Sequence, residues 1–436
     1  MGNMMSYEYI TYSIEDSFFL GDLIKLSSTK EVKFYVPLQT TKVNRRTFDG
    51  FYTFIIEIEG QSVGIIFNDF RSFGSSFGVE NSHRVGSFID ELGSLDYPLI
   101  YIANSIGVRV QDGREVFRNT FSLIEKLNRF VEKNLLLTIS FGHTLGLSAI
   151  LYSIGDYRLA LDRSVFNLTG PEVFKMFFGS KVDFNESCNS ARMLATNDLV
   201  HESFKEKEDI YKVVKAIFST RGPKNEVKPS FESLEKLYEF FDHTGVNLFN
   251  KMGSSLISSI VKTSEGRMGL LRNPLKNGNL MAIKDIQKYS ASLNLFKKLS
   301  LPFFSIVDCP GGDPRLENND QNISRCIYDL AVNIINYPFY KRGIVIGRCF
   351  GGSSILSIPP FYGGDKTLAL KDAYIGIMGN KIIEKLLTSS PVLLKTWEEN
   401  KKNEKEDYSD FIEAGIVEKV IEVNEIYPEI LKSLKK

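Results

Sequence analysis

The chain has 436 residues, which is long for one core and indicates two or three domains of ordinary size. Its 53 basic and 53 acidic residues cancel, so the charge balance excludes a nucleic acid or an acidic membrane surface as an expected partner. The four cysteines lack the spacing of a zinc site or of a disulfide framework, which favours a reduced, cytoplasmic setting without a bound metal.

The first half of the chain alternates strand patterns with helix patterns. The run FIIEIEGQSVGIIF (residues 54–67) predicts strand, and VFRNTFSLIEKLNRFVEKN (residues 116–134) predicts a helix. Residues 135–154 carry no formal charge and are long enough to span a membrane. Gly142, His143 and Gly146 interrupt this run, so we predict a buried strand that turns into a helix.

The second half repeats this alternation beyond a polar stretch, RGPKNEVKP, at residues 221–229. Strands such as GIVIG (residues 343–347) alternate with helices, which predicts an α/β fold with mostly parallel sheets. We place the domain boundary between residues 225 and 226. In such folds the loops at the carboxyl ends of strands carry the sites, and the glycine turn of GRCFGGSSIL (residues 347–356) lies at one of them.

Three pairs of segments indicate that the two halves are copies of one unit. LALDRSVFNLTGPEV pairs with LALKDAYIGIMGNKI at an offset of 209 residues (Leu159 to Leu368). GLSAIL pairs with GGSSIL at an offset of 205 residues (Gly146 to Gly351), and PLIYIANSIG with PFFSIVDCPG at 204 (Pro98 to Pro302). The pairs keep the same order, so we infer an internal duplication.

A glycine turn of this kind can hold a phosphate or an oxyanion, because both need uncovered backbone N–H groups. No GxxxxGK[ST], GxGxxG or GxSxG pattern surrounds Gly351 and Gly352. His143 stands in a glycine turn and is either a ligand contact or a packed side chain. Two N–H groups aimed at a thioester oxygen would stabilise an enolate, and each half offers such a turn.

Several stretches follow one another in the order of a known family. NSIGVRVQDG (residues 104–113) is similar to DSGGARIQEG, and the segment around Gly170 and Pro171 to TGPDVVK. FFSIVDCPGGDP (residues 303–314) is similar to FVDVPGFLPG, and GRCFGGSSIL to RKAYGGAYDV. The chain therefore resembles the biotin-dependent acyl-CoA carboxyltransferases, which include the propionyl-CoA carboxylase β subunit and the carboxyltransferase of acetyl-CoA carboxylase. The resemblance runs from about residue 48 to the C-terminus.

The resemblance implies two tandem crotonase-like domains, residues 1–225 on the acyl-CoA side and 226–436 on the biotin side. It implies a carboxyltransferase that moves a carboxyl group between carboxybiotin and the α-carbon of an acyl-CoA, through an enolate held in backbone oxyanion holes. Biotin itself would serve as the base. The alternatives are a biotin-linked acyl-CoA decarboxylase subunit and a catalytically silent assembly subunit. The implied partners are a biotin carboxyl carrier protein, a biotin carboxylase subunit and further copies of the chain in a dimer-based oligomer, often a hexamer.

The resemblance also assigns site residues. On the biotin side, the N–H groups of Gly352 and Ser353 would hold the ureido oxygen. Around the acyl thioester, Gly146 and Leu147 would bind the carbonyl, with Gly107 and Val108 in the same pocket. The further biotin-side residues are Gly351, Ile355, Pro310 and Gly311, and the further acyl-CoA residues are Arg109, His143, Gly170 and Pro171.

Two departures from the family pattern stand in the first half. Ile106 and Leu147 replace glycines, which predicts less space above the N–H groups. In the second half Ile355 replaces an Asp, which would suit a different or longer acyl chain. The alternative for Leu147, Phe350, Ile355 and Leu356 is an ordinary core position. Arg109 and Arg348 could equally pair with local acids, and TGPE could simply start a helix.

Overall fold

The computed structural model describes residues 7–13, 21, 23, 25–38, 49–179, 181–219, 231–275, 279–364, 367–403 and 408–435. The chain divides into two compact units, Met1–Ser219 and Thr220–Lys436. The boundary predicted between residues 225 and 226 lies outside the described residues.

The first unit is built on one mixed sheet. Its strands are β1 (Tyr7–Ser13), β2 (Glu31–Pro37), β3 (Phe51–Ile58), β4 (Gln61–Asn68), β5 (Leu99–Ser105), β6 (Leu136–Leu145), β7 (Tyr157–Leu161), β8 (Val165–Asn167) and β9 (Glu202–Phe204). They lie in the order β1-β2-β3-β4-β5-β6-β7-β9, and β8 pairs with the end of β6. The pairs from β1 to β4 are antiparallel, and every pair from β4 onward is parallel.

Helices connect the parallel strands, as their wide crossovers require. They are α1 (Val79–Ser94), α2 (Glu115–Lys133), α3 (Leu147–Ser153), α4 (Pro171–Phe178), α5 (Phe184–Cys188), α6 (Ser190–Thr196) and α7 (Lys207–Phe218). The helix predicted over residues 116–134 is confirmed as α2, and the run at residues 54–67 forms most of the β3–β4 hairpin.

The second unit repeats this plan. Its strands are β10 (Gly245–Leu248), β11 (Ile257–Thr263), β12 (Gly266–Arg272), β13 (Phe303–Cys309), β14 (Lys341–Phe350), β15 (Thr367–Leu370), β16 (Tyr374–Gly376) and β17 (Val417–Ile421). They lie in the order β10-β11-β12-β13-β14-β15-β17, and β16 pairs with the end of β14. The helices are α8 (Leu234–Thr244), α9 (Ile283–Lys298), α10 (Leu316–Asp320), α11 (Ile323–Ile335), α12 (Asn380–Leu387), α13 (Pro391–Asn403), α14 (Ser409–Glu413) and α15 (Val423–Leu434).

The internal repeat extends to the packing of a helix on each sheet. A Cβ on Gly64 of β4 would lie 2.2 Å from Cδ1 of Leu92 in α1. A Cβ on Gly269 of β12 would lie 2.3 Å from Cδ2 of Phe296 in α9. Each glycine therefore allows a close approach of helix and strand, at an offset of 205 residues.

The uncharged run at residues 135–154 is a strand followed by a helix, as predicted. It forms β6 and α3, with Gly146 between them. Within the described part of the chain, no helix is both long and apolar enough to cross a membrane. The core of the first unit collects around this segment, where Leu136 is fully buried and Phe88 of α1 and Leu127 of α2 pack in the same cluster. Burying each such side chain contributes about 1.5–3 kcal/mol.

Candidate active site

Two equivalent glycine turns lie at the carboxyl ends of β6 and β14. Gly146 follows β6 with φ 57°, and Gly351 follows β14 with φ 53°. This left-handed backbone favours glycine, because a Cβ would clash with the chain itself. The first turn leads into α3, and the second leads into a 3-10 helix over Gly351–Ser357. The pair of turns predicted from the repeat is thus present in both units.

The structure brings the predicted acyl-side glycines together. Gly107 has φ 97° and follows β5. A Cβ on Gly107 would lie 3.1 Å from the carbonyl oxygen of Leu145 and 3.4 Å from Cα of Gly146. The backbone at Gly107 therefore meets the backbone at Gly146, with no side chain between them. Val108 follows the first glycine, and Leu147 follows the second.

The hydrogen bonds of this turn decide which N–H groups it can offer. The N–H of Gly107 donates to Ser105 Oγ at 3.1 Å, and that of Gly146 donates to the Asn167 carbonyl at 2.9 Å. Leu147 is the first residue of α3, where N–H groups have no acceptor within the helix. The N–H of Leu147, rather than that of Gly146, is therefore the donor that this turn presents.

Val108 offers the second N–H group. It pairs with Phe77 in a parallel bridge, in which the Phe77 N–H donates to the Gly107 carbonyl and the Arg109 N–H donates to the Phe77 carbonyl, both at 2.8 Å. The residue between two such bonds directs its own N–H away from that partner. Val108 and Leu147 therefore supply the candidate pair of donors.

Of the two residues that replace glycines, Leu147 does not fill the space above the N–H groups as the sequence suggested. The Leu147 side chain is 7% exposed and belongs to the core cluster of the unit, so the core alternative is confirmed for it. Ile106 packs on Gly74. A Cβ added to Gly74 would lie 2.9 Å from Cδ1 of Ile106. The predicted loss of space above the N–H groups does not come from Leu147.

Arg109 is held by its own unit. Its Nη1 lies 3.8 Å from Asp49 Oδ2, and its Nε donates to Ser76 Oγ at 3.1 Å. The guanidinium also covers the ring of Phe73, 4.9 Å from its centroid. Pairing with a local acid is confirmed for Arg109, and contact with a substrate stays a prediction.

His143 lies in β6, three residues before the turn. Its ring stacks on Phe70 at a centroid distance of 4.9 Å, and its backbone N–H donates to Asn104 Oδ1 at 3.0 Å. Partial burial lowers the pKa of the His143 imidazole below its usual value. The ring is therefore mostly neutral at pH 7 and suits a contact with an uncharged group.

A cleft of about 670 Å³ opens beside His143. This volume lies within the range of small-molecule sites, and the lining mixes aromatic and polar side chains. Its lining residues are Phe70, Asn104, Phe141, Gly142, His143, Asp162, Arg163, Val165, Asn185, Glu186 and Asn189.

Gly170 and Pro171 open α4, so the helix-start alternative is confirmed for them. Pro171 is the first helical residue, and the Gly170 carbonyl accepts from the Phe174 N–H at 3.1 Å. The chain just before them passes the acyl-side turn, because a Cβ on Gly146 would lie 3.8 Å from the Leu168 carbonyl oxygen. The chain therefore passes that turn two residues before Gly170, and a ligand contact of Gly170 and Pro171 stays a prediction.

The turn after β14, which the resemblance assigns to biotin and which is called the biotin-side turn below, exposes Gly351 and Gly352. A Cβ on Gly352 would meet Ile327 Cδ1 at 3.6 Å, and one on Gly351 would meet the Ile377 carbonyl at 3.2 Å. Ser353 is fully buried, and its hydroxyl serves the fold, because it donates to the Cys309 and Phe350 carbonyls.

Gly311 repeats the part that Gly107 plays in the first unit. It has φ 131°, and a Cβ there would lie 3.8 Å from the Phe350 carbonyl oxygen. Pro310 precedes it at the end of β13 and is half-buried. Ile355 is 8% exposed, and Phe350 and Leu356 are also buried, so these three are core positions. The backbone around Gly311 remains open to a ligand, whereas the Ile355 side chain does not line the surface.

Two buried thiols, those of Cys309 and Cys349, lie near this turn. Burial raises the pKa of Cys309, and it raises that of Cys349 to about 12. The reactive form of cysteine is the thiolate, which is then scarce at neutral pH. No cluster of three His, Cys, Asp or Glu side chains that could hold a metal ion occurs in the described ranges.

Sequence reasoning missed two polar residues that hold the strand ends before the turns. Asn104 binds the N–H of His143, and Asp308 binds that of Arg348. The repeat contained the signal, because Asn104 and Asp308 are 204 residues apart. Leu168 and Ile377, which pass the two turns, also occupy matching positions in the repeat.

Comparison with known proteins assigns the family. The carboxyl transferase domain family matches residues 30–240, which contain the acyl-side turn and its cleft. Residues 30–240 thus belong to the carboxyl transferase domain family. The likeness is a divergent one, because the relatives share only about a fifth of the aligned residues. The carboxyltransferase subunit of propionyl-CoA carboxylase from Haloferax mediterranei is 22% identical, covering 87% of this chain and 78% of that protein.

A second relative of this chain is the methylmalonyl-CoA carboxyltransferase 12S subunit of Propionibacterium freudenreichii subsp. shermanii. It is 20% identical, with 76% of this chain and 68% of the relative covered.

Solved structures show the fold of this chain. The transcarboxylase 12S structure with hydrolysed methylmalonyl-CoA superposes with a TM-score of 0.78 at 18% identity, covering 89% of this chain and 81% of that one. A single-chain, multi-domain long-chain acyl-CoA carboxylase matches with a TM-score of 0.75 at 15% identity, over 94% of this chain and 46% of that chain. The predicted fold class of two tandem crotonase-like domains is therefore confirmed.

The family implies biotin, and the turn at Gly351 fits it. Both glycines are exposed, and neither has a side chain that could cover the backbone N–H groups. The neighbouring aliphatic group of Ile327 suits the apolar tetrahydrothiophene ring of biotin, while backbone N–H groups suit its ureido oxygen.

Proposed function

We propose that this chain moves a carboxyl group between carboxybiotin and the α-carbon of an acyl-CoA thioester. The observation that carries the proposal is the pair of equivalent turns, one in each unit. Gly107 meets Gly146 in the first, and Gly311 lies against the Phe350 carbonyl just before Gly351 in the second. Two turns of one design suit two carbonyl groups, the thioester and the ureido group. Carboxybiotin, when bound, supplies the carboxyl group.

On the acyl side, the N–H groups of Val108 and Leu147 would hold the thioester oxygen. Negative charge develops on that oxygen when the α-carbon loses its proton, and one well-placed donor can be worth about 10²- to 10³-fold in rate. The cleft beside His143 would take the rest of the acyl-CoA, with Gly170 and Pro171 at its side. The neutral His143 ring adds a polar contact without a charge of its own.

On the biotin side, the N–H groups of Gly352 and Ser353 would hold the ureido oxygen. Gly311 and Pro310 would border the same turn, as Gly107 borders the turn in the first unit. The exposed backbone of Gly352 supports this assignment.

The proposed partners are a biotin carboxyl carrier protein, a biotin carboxylase subunit and further copies of this chain. Exposed apolar side chains on α4, with Met176 82% and Phe177 81% exposed, support an oligomer. The transcarboxylase 12S structure is described as a hexamer assembly. We therefore propose a dimer-based homo-oligomer of the same kind.

The location of the Leu147 side chain weakens the alternative of a silent assembly subunit. That alternative rests on lost space above the acyl-side N–H groups, and the side chain lies in the core instead. A decarboxylase would use the same two turns in the opposite direction, so it shares this geometry.

Calorimetric titration tests the acyl side. We expect the full-length protein to bind acetyl-, propionyl- or longer acyl-CoA, with Gly146→Val weakening the affinity. Gly60→Val, which also has positive φ and open space around it, is the control for backbone strain. An absence of binding to every acyl-CoA tested would contradict the proposal.

A further inference from the structure

Asp308 joins the ends of β13 and β14 just before the biotin-side turn. Its Oδ1 accepts the backbone N–H of Arg348 at 2.8 Å and the Nε at 2.9 Å, and its Oδ2 accepts Nη2 at 3.0 Å. The carboxylate also occupies the space beside Gly347, where a Cβ would lie 2.6 Å from Oδ1. The pair therefore combines a bidentate ion pair with a main-chain bond, and it is more constrained than a surface salt bridge.

A second link joins the same strands just after the turn. The Ser353 hydroxyl donates to the Cys309 carbonyl at 2.9 Å, and it accepts the Phe350 N–H at 3.2 Å. Residues 349–352 are thus bounded on one side by Asp308 and on the other by Ser353. Both links anchor the turn to β13.

The first unit holds its turn less firmly. Asn104 Oδ1 accepts the backbone N–H of His143 at 3.0 Å, which reproduces the main-chain bond without an ion pair. Ser148, which matches Ser353 in the repeat, bonds the Tyr101 hydroxyl at 2.8 Å instead of a carbonyl of the neighbouring turn. An amide oxygen therefore suffices as the acceptor of this main-chain bond in the first unit. In the second unit the acceptor at the equivalent position is a carboxylate that also pairs with Arg348.

Resting on the proposed function, we propose that Asp308 is a positioning residue for biotin. Its acceptor oxygen holds the segment before Gly351 so that the N–H groups of Gly352 and Ser353 keep one direction. A misplacement of about 1 Å in such a group can cost about 10²-fold in rate. Loss of the acceptor therefore affects the biotin side and leaves the acyl-CoA side intact.

Two variants of the full-length protein test this assignment. Asp308→Ala removes the acceptor, whereas Asp308→Asn keeps an oxygen of the kind that Asn104 provides. We expect Asp308→Ala to raise the KM for free biotin at least about tenfold, with unchanged acyl-CoA affinity, and Asp308→Asn to recover most of this loss. Asp329→Ala is the matched control, because it removes an exposed ion pair with Arg325 in the same unit.

Hydrogen exchange provides a readout that needs no activity. Amides of residues 348–354 should exchange at least about tenfold faster in Asp308→Ala than in the wild type, and close to the wild-type rate in Asp308→Asn. Unchanged exchange in Asp308→Ala, or equal acceleration in both variants, would overturn the positioning role. A wild-type protein without any biotin-dependent transfer would instead overturn the proposed function, and the exchange result would still decide the role of Asp308.

Discussion

Gly351 and Gly352 differ in how much a substitution would strain the backbone. Gly351 has φ 53°, so any other residue there strains the backbone. Gly352 lies outside this left-handed region, and a Cβ there meets only ordinary van der Waals contact with Ile327. A substitution at Gly352 therefore tests the space above the turn, whereas one at Gly351 also tests the fold.

We expect Gly352→Val to abolish carboxyl transfer and to leave the thermal unfolding midpoint nearly unchanged. The valine methyl groups would occupy the space that the proposed biotin ring needs. Gly93→Val is a matched control. Gly93 lies in α1, and a Cβ added there has a similar contact, 3.7 Å from the Phe130 side chain of α2. Retained transfer in Gly352→Val would remove this turn from the mechanism.

The Asp308–Arg348 pair predicts a pH dependence of stability. Burial alone would raise the pKa of Asp308, but hydrogen bonds from Arg348 lower it below its usual value. A carboxyl with a lower pKa in the folded state stabilises the fold above its unfolded pKa of about 4, and this contribution is lost as the pH falls through the folded value.

Denaturant unfolding of the wild type and Asp308→Asn between pH 7 and pH 2 would check this pH dependence. The wild type should be more stable at neutral pH, and the difference between the two proteins should shrink below about pH 4. A difference that stays constant over this range would contradict the assignment.

At the scale of elements, α4 carries the clearest exposed apolar surface near a turn. Only Phe174 of this helix is buried, while Met176 and Phe177 are largely exposed. A helix that exposes large apolar side chains usually meets a partner. In the proposed oligomer this partner is a second copy of the chain.

We therefore expect the double variant Met176→Glu with Phe177→Glu to shift the oligomer toward the 49.4 kDa protomer in light scattering. The two carboxylates would weaken an apolar interface, because burying them there removes their water without providing partners. Leu95→Glu, at a 41% exposed position after α1, should leave the mass unchanged. An unchanged mass in the double variant would exclude α4 from the interface.

Elements with local patterns were predictable from the sequence, and hydrogen bonds between distant segments were not. The periodicity of α2 and the break at Gly146 lie within single segments, so the helix and the strand-to-helix turn were predictable. The Gly146 N–H donates to Asn167, and the Leu147 side chain lies in the core. Both contacts depend on which distant segments the fold places beside this turn. The pairing of Gly107 with Gly146 came from the resemblance, since the two lie on different strands.

At the scale of the whole molecule, the duplication explains why one chain carries two related turns. The second copy keeps both glycines of its turn and adds the Asp308–Arg348 pair, whereas the first copy replaces one glycine and uses neutral Asn104. The two copies have thus specialised, with the firmer turn on the proposed biotin side and the open cleft on the acyl side.

The central claim is that both turns serve one transfer reaction, and a panel of acyl-CoA substrates with free biotin tests it most directly. Malonyl-CoA, methylmalonyl-CoA and longer carboxylated acyl-CoAs would be incubated with the full-length protein, and the decarboxylated acyl-CoA measured by chromatography. We predict biotin-dependent formation of that product with at least one substrate, abolished by Gly352→Val and retained by Gly93→Val. No biotin-dependent product with any substrate of the panel would contradict the account.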